Sequence, residues 1–142
     1  MSHSQPLQAI LDVGREALRR FLVGEDDHTT MLAKIVGAAT ESVPGCDMAS
    51  ITLMRDGRPS TPVCTDRAAL TLDETQYDLG DGPCLACIRH QGVERLVIES
   101  DERWPAFNQA AAKLGVVGVL SVPLVDDDTA LGGLNLYSKT TA

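Results

Sequence analysis

Two cysteines, Cys84 and Cys87, form a C-x-x-C spacing directly after Pro83. Because proline is favoured in the first turn of a helix, this spacing predicts that both thiols lie at a helix N-terminus. Backbone N–H groups and the helix dipole stabilise a thiolate there, which suits a redox switch or half of a soft-metal site. A zinc site needs four ligands, and only Cys64 and the more distant His90 are candidates to complete one. We favour the structural alternative, in which both cysteines are buried as small apolar residues.

A second group able to do chemistry is the sequence Arg103-Trp104-Pro105, which follows the acidic residue Asp101. The arginine offers a fork of donors to an anion, and the tryptophan offers a large face that could close a pocket. We favour a structural role, in which Trp104 packs above the sheet while Arg103 pairs with Asp101 or Asp81.

The segment 72–82 is polar and contains Asp73, Gln76 and Tyr77 before Gly80. Its polarity predicts an irregular stretch, and polar loops held over a rigid sheet are where ligand pockets form. A pocket in this position has a candidate lining, of which half could equally be ordinary core. The candidate ligand-binding residues are Thr52, Cys64, Tyr77, Cys84, Ile88, Trp104 and Phe107.

Other chemical signatures are weak. The acidic run at 126–128 lacks the glycine and distal acid of a calcium loop, so we interpret it as a solvated turn. His28 is a lone histidine that we expect to be inert. The sequence contains no recognisable Ser-His-Asp order, phosphate-binding loop or metalloprotease motif. We therefore expect no catalytic residue, no metal ligand and no enzyme activity, and the sequence names no cofactor.

The elements that must position these residues begin with two helices. The first helix carries an apolar stripe with steps close to a heptad, wide enough to pack on its own core or on a second copy. Gly24, Asp26 and Asp27 are predicted to end it, and Asp27, Thr29 or Thr30 to cap the second. The first stripe is Leu7, Leu11, Leu18 and Phe21; the second helix presents Leu32, Ile35, Val36, Ala39 and Val43.

Strands follow from Met48, where the apolar period changes to two. Alternation of apolar and polar residues predicts a first strand with one buried face. Asp56-Gly57 predicts a tight turn into a second strand, and Pro62 predicts that this strand lies at a sheet edge.

The remaining elements alternate between helices and strands. Asp66 can cap a short helix, Pro83 begins one that reaches Ile88, and Ser100 or Asp101 can cap another that Gly115 closes. Strands are predicted over Val93–Ile98, Val116–Leu124, which is apolar enough to be buried on both faces, and Leu131–Tyr137.

Composition limits the class of protein. The 142 residues are 44% hydrophobic and 23% charged, with a net charge of −8, which fits one soluble globular domain over 1–142. Such an acidic chain is a poor partner for nucleic acid or anionic lipid, and no apolar run could cross a membrane. Without a secretory signal, four cysteines favour reduced thiols in the cytoplasm. The element order predicts an α+β fold, a central antiparallel sheet of five to six strands with helices on both faces.

Several short motifs, taken together and in order, resemble GAF domains, and most closely the actinobacterial subgroup that precedes ANTAR RNA-binding modules. The resemblance runs from about Leu32 to the C-terminus. It implies a GAF/PAS-like sheet, rear helices that often mediate dimers, and a small-molecule pocket under the segments between the second and fourth strands. The motifs are Asp73, Gln76-Tyr77, Gly82-Pro83-Cys84, Arg103-Trp104-Pro105, Ser121-Val122-Pro123-Leu124 and the run from Leu131 to Tyr137.

The sequence departs from the fuller GAF pattern in two respects. It lacks the continuation after Asn135 and Lys139 that cyclic-nucleotide GAF domains use, so that ligand is not supported. It also stops just after the last strand, which predicts either a stand-alone sensor or a piece of a longer regulator with a downstream output domain.

These features favour a non-enzymatic sensory domain of a bacterial signalling or transcription-regulating protein. We expect it to bind an unidentified small molecule and to form a homodimer through the helix in residues 1–23. Two alternatives belong to other classes. One is an interaction module that dimerises without a ligand, and the other is a cysteine-based redox sensor or free methionine sulfoxide reductase, whose cysteine pattern this chain does not match closely.

Overall fold

A computed structural model describes residues 4–22 and 29–140. It contains five helices and five strands within that part of the chain. In chain order the elements are α1 (Ser4–Leu22), α2 (Thr29–Ser42), β1 (Met48–Arg55), β2 (Arg58–Cys64), α3 (Arg67–Leu79), α4 (Pro83–His90), β3 (Glu94–Val97), α5 (Pro105–Lys113), β4 (Gly118–Asp126) and β5 (Thr129–Ser138).

The five strands form one antiparallel sheet in the order β2-β1-β5-β4-β3. The predicted α+β fold is therefore confirmed. Asp56 and Gly57 turn the β1–β2 hairpin with φ of 54° and 75°, as a tight primed turn requires. Pro62 lies in β2 at the sheet edge, where its missing N–H costs no ladder bond.

Helices α1 and α2 cover one face of the sheet, which we call the rear face. The apolar stripe of α1 is buried in this layer, because Leu18 is fully buried and Leu7 and Leu11 pack against the same core. Of the two alternatives for this stripe, packing on the chain's own core is the one observed for Leu7, Leu11 and Leu18. The side chain of Phe21 and the residues Gly24, Asp26, Asp27 and His28 lie outside the described residues.

Helices α3, α4 and α5 cover the opposite, front face. The prediction that residues 72–82 are irregular is wrong, because α3 continues to Leu79. Asp66 caps the start of α3 through a 2.8 Å bond from the Ala68 N–H, as predicted. Gly80 ends it at φ 70°, the left-handed conformation that favours glycine.

Strand β1 is buried on both faces, so the prediction of one buried face is wrong. Ala49, Ile51 and Leu53 face the rear core, while the polar Ser50 and Thr52 face α3 and α4 and are also fully buried. Alternating polarity normally means one solvated face, but here hydrogen bonds to covering helices replace water.

Helix α5, which begins at Pro105, is not capped by an acidic side chain. Trp104 occupies the N-cap position of α5 without a side-chain bond, and the Asp101 carboxylate accepts the Arg103 N–H instead, at 2.8 Å. Pro105 begins the helix, because its fixed φ suits the first turn. Within the part of the chain that the structure describes, no helix combines the length and the apolar character that crossing a membrane requires.

Candidate functional site

Between the front face of the sheet and helices α3 and α4 lies a continuous hydrogen-bonded set of polar side chains, which we call the polar layer. Eight of its members are fully buried, and the other two, Thr61 and Tyr77, are half-buried. The polar layer consists of Ser50, Thr52, Thr61, Asp73, Gln76, Tyr77, Cys84, Ser121, Asn135 and Tyr137.

Asp73 and Gln76 attach α3 to strand β5. The hydroxyl group of Tyr137 donates to Asp73 Oδ1, and Gln76 Nε2 lies 3.5 Å from the same hydroxyl. Gln76 Oε1 also accepts the backbone N–H of Cys84 at 2.8 Å. Gln76 thereby supplies the cap that Gly82, at the N-cap of α4, cannot supply itself. A side chain at Gly82 would overlap that of Gln76, so the glycine is required for this contact.

Tyr77 connects the two strands nearest to α3. Its hydroxyl group lies 2.6 Å from Thr52 Oγ1 on β1 and 2.7 Å from Thr61 Oγ1 on β2. Thr52 in turn accepts bonds from Asn135 Nδ2 at 3.0 Å and from Cys84 Sγ at 3.2 Å. Thr52 is therefore the point at which β1, β5, α3 and α4 share hydrogen bonds.

Asp73 is the ionisable group at the centre of the polar layer. Burial raises the pKa of its carboxyl group to about 6, since the ionised form loses its hydration. Bonds from Ser50, Tyr137 and Thr61 oppose this shift but do not cancel it. The carboxyl group therefore changes charge close to neutral pH.

The structure divides the seven predicted lining residues among three environments. Thr52, Tyr77 and Cys84 meet in the polar layer. Cys64 and Trp104 pack beside the buried Phe107 in an apolar cluster under α5. Ile88 lies with Cys87 in a small cluster against the sheet. A hydrogen-bonded site and an apolar core thus replace the single mixed surface that the sequence predicted.

The two helix cysteines lie in the interior of the protein. Cys84 and Cys87 are both fully buried in the first turns of α4. Burial, followed by the hydrogen bond with Cys87, raises the pKa of the Cys84 thiol well above its ordinary value. Desolvation thus outweighs the helix dipole, and the neutral thiol is the stable form of Cys84. In the described residues, no cluster of three or more histidine, cysteine or acidic side chains could hold a metal ion.

Arg103 forms a surface corner with its neighbours. Its guanidinium pairs with Asp101 at 2.9 Å and with Glu94 at 2.8 Å, and it stacks 4.4 Å from the centre of the Trp104 ring. Of the two predicted partners, Asp101 is the one observed, whereas Asp81 pairs with Arg89 at 3.3 Å. Arg103 is thus committed to a packed corner, in line with the structural role.

Sequence reasoning missed half of the polar layer. Ser50, Thr61, Ser121, Asn135 and Tyr137 were not among the candidates, although a signal existed. Asn135 and Tyr137 alternate along an otherwise apolar strand, and Ser121 interrupts the apolar run of β4. Polar residues at alternate positions of a strand buried on both faces indicate a hydrogen-bonded face.

Comparisons with known proteins agree with this architecture. The sequence pattern of the GAF domain matches residues 25–142. A GAF sensor protein from Burkholderia vietnamiensis is 14% identical with a TM-score of 0.61, covering 100% of this chain and 83% of that one. The GAF domain region of a membrane protein from Geobacter sulfurreducens PCA is 12% identical with a TM-score of 0.64, covering 80% and 77%.

A third similar structure comes from an enzyme. The type II free methionine-R-sulfoxide reductase from Thermoplasma acidophilum is 14% identical with a TM-score of 0.61, and the match covers 88% of this chain and 79% of that one. Among curated proteins, none matches the sequence. Identities this low show a shared fold alone, whereas the GAF pattern spans most of the sequence. This chain belongs to the GAF domain family.

Proposed function

We propose that this chain is a non-enzymatic sensory domain in which a small molecule binds at the polar layer and changes the packing of α1 and α2. The polar layer is the observation that carries the proposal. Ten polar side chains occupy a position between sheet and helices that apolar residues would fill at lower cost. Buried networks of this kind impose a specific arrangement, and a ligand with matching polar groups can substitute for part of it.

We expect the small molecule to enter the polar layer at Tyr77. It is only half-buried, whereas its partner Thr52 is fully buried, and Gly80 and Gly82 follow it closely. A ligand that displaces the Tyr77 hydroxyl gains the bonds to Thr52 and Thr61 that the tyrosine makes. The helical α3 implies that binding shifts a formed lid rather than ordering a loop.

Thr52 is also the route from the polar layer to the rear helices. Its side chain belongs to the polar layer. Its carbonyl oxygen lies so close to Gly132 of β5 that a Cβ on this residue would overlap it. The Leu18 side chain of α1 lies over the same glycine, within 3.1 Å of where a Cβ would stand. A ligand that binds one position of Thr52 more tightly than another therefore biases the packing of α1.

The setting we propose is the cytoplasm of a bacterium, in a signalling or transcription-regulating protein. The described cysteines are all free, as reducing compartments favour. The motif resemblance to actinobacterial GAF–ANTAR regulators supports an output domain, attached or on a partner. With a net charge of −8, the domain itself is not expected to contact nucleic acid or a membrane.

We also propose that the output is read from a homodimer formed through α1. Because its apolar stripe is buried, the contact must use the other side, where a groove of about 350 Å³ runs between α1 and α2. Val13 and Met31 line the groove and are 50% and 43% exposed. Asp12 and Arg20 border it eight positions apart, so antiparallel copies would bring opposite charges together.

For the dimer, we expect Val13→Glu to convert the protein to a monomer without unfolding it. The added carboxylate would lose its hydration in the apolar centre of the contact and would add to the negative charge of Asp12 and Glu16, which line the same groove. Light scattering measures the mass, and far-UV circular dichroism measures the helix content. Val93→Glu, at a position 60% exposed and outside the groove, is the matched control. A monomeric wild-type protein would contradict the proposal.

For the ligand, we expect native mass spectrometry of protein from its own host to reveal a retained small molecule. Thr52→Val should lower its occupancy at least about fivefold, because the ligand would lose the bond to Thr52 Oγ1 that it takes over from Tyr77, and the loss of a buried hydrogen bond costs on the order of 1–3 kcal/mol. Arg103→Gln, in the packed surface corner, should leave occupancy unchanged. A dimer that never carries a small molecule would instead favour an interaction module without a ligand.

Free methionine sulfoxide reduction is the alternative function, because a free methionine-R-sulfoxide reductase has a similar fold. The buried, neutral Cys84 thiol speaks against a cysteine nucleophile. Turnover of free methionine sulfoxide by the wild-type protein, abolished in Cys84→Ser, would replace the sensory proposal with this enzyme.

A further inference from the structure

When Asp73 is ionised, the hydroxyl groups around it have one consistent set of donor directions. A carboxylate only accepts, so Thr61 and Tyr137 must both donate to it. A hydroxyl group has one hydrogen, and that of Thr61 is now used, so the 2.7 Å bond between Thr61 and Tyr77 requires Tyr77 to donate. The 2.6 Å bond between Tyr77 and Thr52 then requires Thr52 to donate.

The same reasoning fixes the donor directions of the hydrogen bonds that continue to α4. Thr52 Oγ1 gives its hydrogen to Tyr77 and accepts from Asn135 Nδ2 at 3.0 Å. Its remaining lone pair accepts the Cys84 S–H at 3.2 Å. Four successive hydrogen bonds therefore have their donors directed toward the carboxylate. In order, they run from Cys84 to Thr52, from Thr52 to Tyr77, from Tyr77 to Thr61 and from Thr61 to Asp73. We call this series the hydroxyl relay.

A proton added to Asp73 reverses the hydroxyl relay. The neutral carboxyl group must donate its own hydrogen, and the hydroxyl groups within reach of it are those of Ser50, Thr61 and Tyr137, of which Thr61 leads toward α4. If Asp73 donates to Thr61, then Thr61 turns to Tyr77 and Tyr77 turns to Thr52. The Thr52 hydrogen must then point toward Cys84, whose S–H loses Thr52 as its acceptor and keeps only the weaker sulfur acceptor of Cys87.

The strongest influences on the ionisation of Asp73 come from uncharged groups. The titratable groups that face it are Cys64 from β2, Tyr77 from α3, Cys84 from α4 and Tyr137 from β5. All four have pKa values above their ordinary ones, because burial disfavours their anions, so they stay neutral. The largest influences on the Asp73 carboxyl group itself are burial and the donors of Ser50, Tyr137, Thr61 and Asn135, none of which is a cation.

We propose that Asp73 is a proton-binding site whose occupancy is transmitted by the hydroxyl relay to Cys84 in the first turn of α4. The inference deepens the proposed function, because it gives the polar layer a ligand, the proton, in addition to any small molecule. At a pH above the midpoint of the Asp73 titration, Cys84 donates to Thr52 and links α4 to β1. Below it, that link is released while Gln76 still caps α4.

The S–H stretching band in infrared spectra tests the hydroxyl relay, because it moves to lower wavenumber when a thiol donates. Subtracting the spectrum of Cys84→Ala isolates the band of Cys84 from those of the other three cysteines. We expect a low-wavenumber band at pH 8 and a shift to higher wavenumber at pH 5. The midpoint should coincide with titration of the Asp73 carboxyl carbon in NMR spectra, near pH 6.

Thr61→Val is the decisive variant, because it cuts the hydroxyl relay and leaves both end groups in place. We expect Asp73 still to titrate while the Cys84 band stays fixed. A band that is constant with pH in the wild-type protein, or that moves equally in Thr61→Val, would overturn the proposal, since the second result would mean a through-space effect of charge. Asp73→Asn should fix the band at one position at every pH. None of these readouts involves a bound small molecule, so they are independent of the ligand test above.

Discussion

Gly132→Ala is expected to unfold the protein or to lower its free energy of unfolding by more than about 3 kcal/mol. A Cβ at this position in β5 would overlap the carbonyl oxygen of Thr52, which is backbone and cannot turn away. Leu18 of α1, at 3.1 Å from the same Cβ position, blocks relief on the other side. The sheet and the rear helix layer would both have to shift, and urea denaturation measures the loss.

Two other glycines provide matched controls for this substitution. At Gly133, next along the strand, a Cβ would meet Cys87 Sγ at 3.4 Å and Ile88 at 3.5 Å, which is ordinary contact. Gly133→Ala should therefore change stability by less than about 1 kcal/mol. Gly37, inside α2, has no neighbour within 4 Å of such an atom, so Gly37→Ala should stabilise the protein by about 1 kcal/mol. Equal losses at Gly132 and Gly133 would contradict the argument.

The local signals of the sequence predicted most of the elements correctly. Asp56-Gly57 specifies a hairpin because few other pairs tolerate two residues with positive φ. Pro62 specifies an edge strand, and Asp66 specifies a helix start, each through one backbone group. Such features depend on a residue and its immediate neighbours, so they can be read without knowledge of the fold.

Helix α3 shows where local reading ends. Its residues Asp73 and Gln76 face inward beside Leu72, so its buried side is mixed rather than apolar. A polar residue on a buried face is stable only when partners are present, and those of Asp73 include Tyr137, 64 positions away. A search for apolar periodicity therefore does not detect the full length of this helix, whereas the capping residue Asp66 is recognisable from the sequence.

The candidate site was predictable in part for the same reason. Thr52, Tyr77 and Cys84 were identified as residues under a lid, and they do share hydrogen bonds. The sequence also places Trp104 and Phe107 in the lining of this pocket, whereas both pack in the apolar cluster under α5. Composition distinguishes polar from apolar residues, whereas only the strand pairing decides which polar residues meet.

The largest pH effect is expected from Asp73. Its pKa lies at about 6 in the folded protein, above the ordinary 3.8, so the folded state binds the proton more tightly than the unfolded state. The resulting stability is fully present below the unfolded pKa and is lost as the pH rises through 6. The rise of the pKa from 3.8 to about 6 corresponds to about 3 kcal/mol in total, of which about 1.4 kcal/mol should be gained between pH 8 and pH 5.

Urea denaturation of the wild-type protein and of Asp73→Asn, measured from pH 8 to pH 5, isolates this contribution. Other carboxyl groups titrate alike in both proteins, so the difference between the two curves belongs to Asp73. We expect the wild-type protein to gain stability relative to the variant as the pH falls, because only the wild-type protein removes a buried charge by binding a proton. Parallel curves, or a wild-type loss relative to the variant, would mean that the hydroxyl donors of Thr61 and Tyr137 compensate the burial of the carboxylate in full.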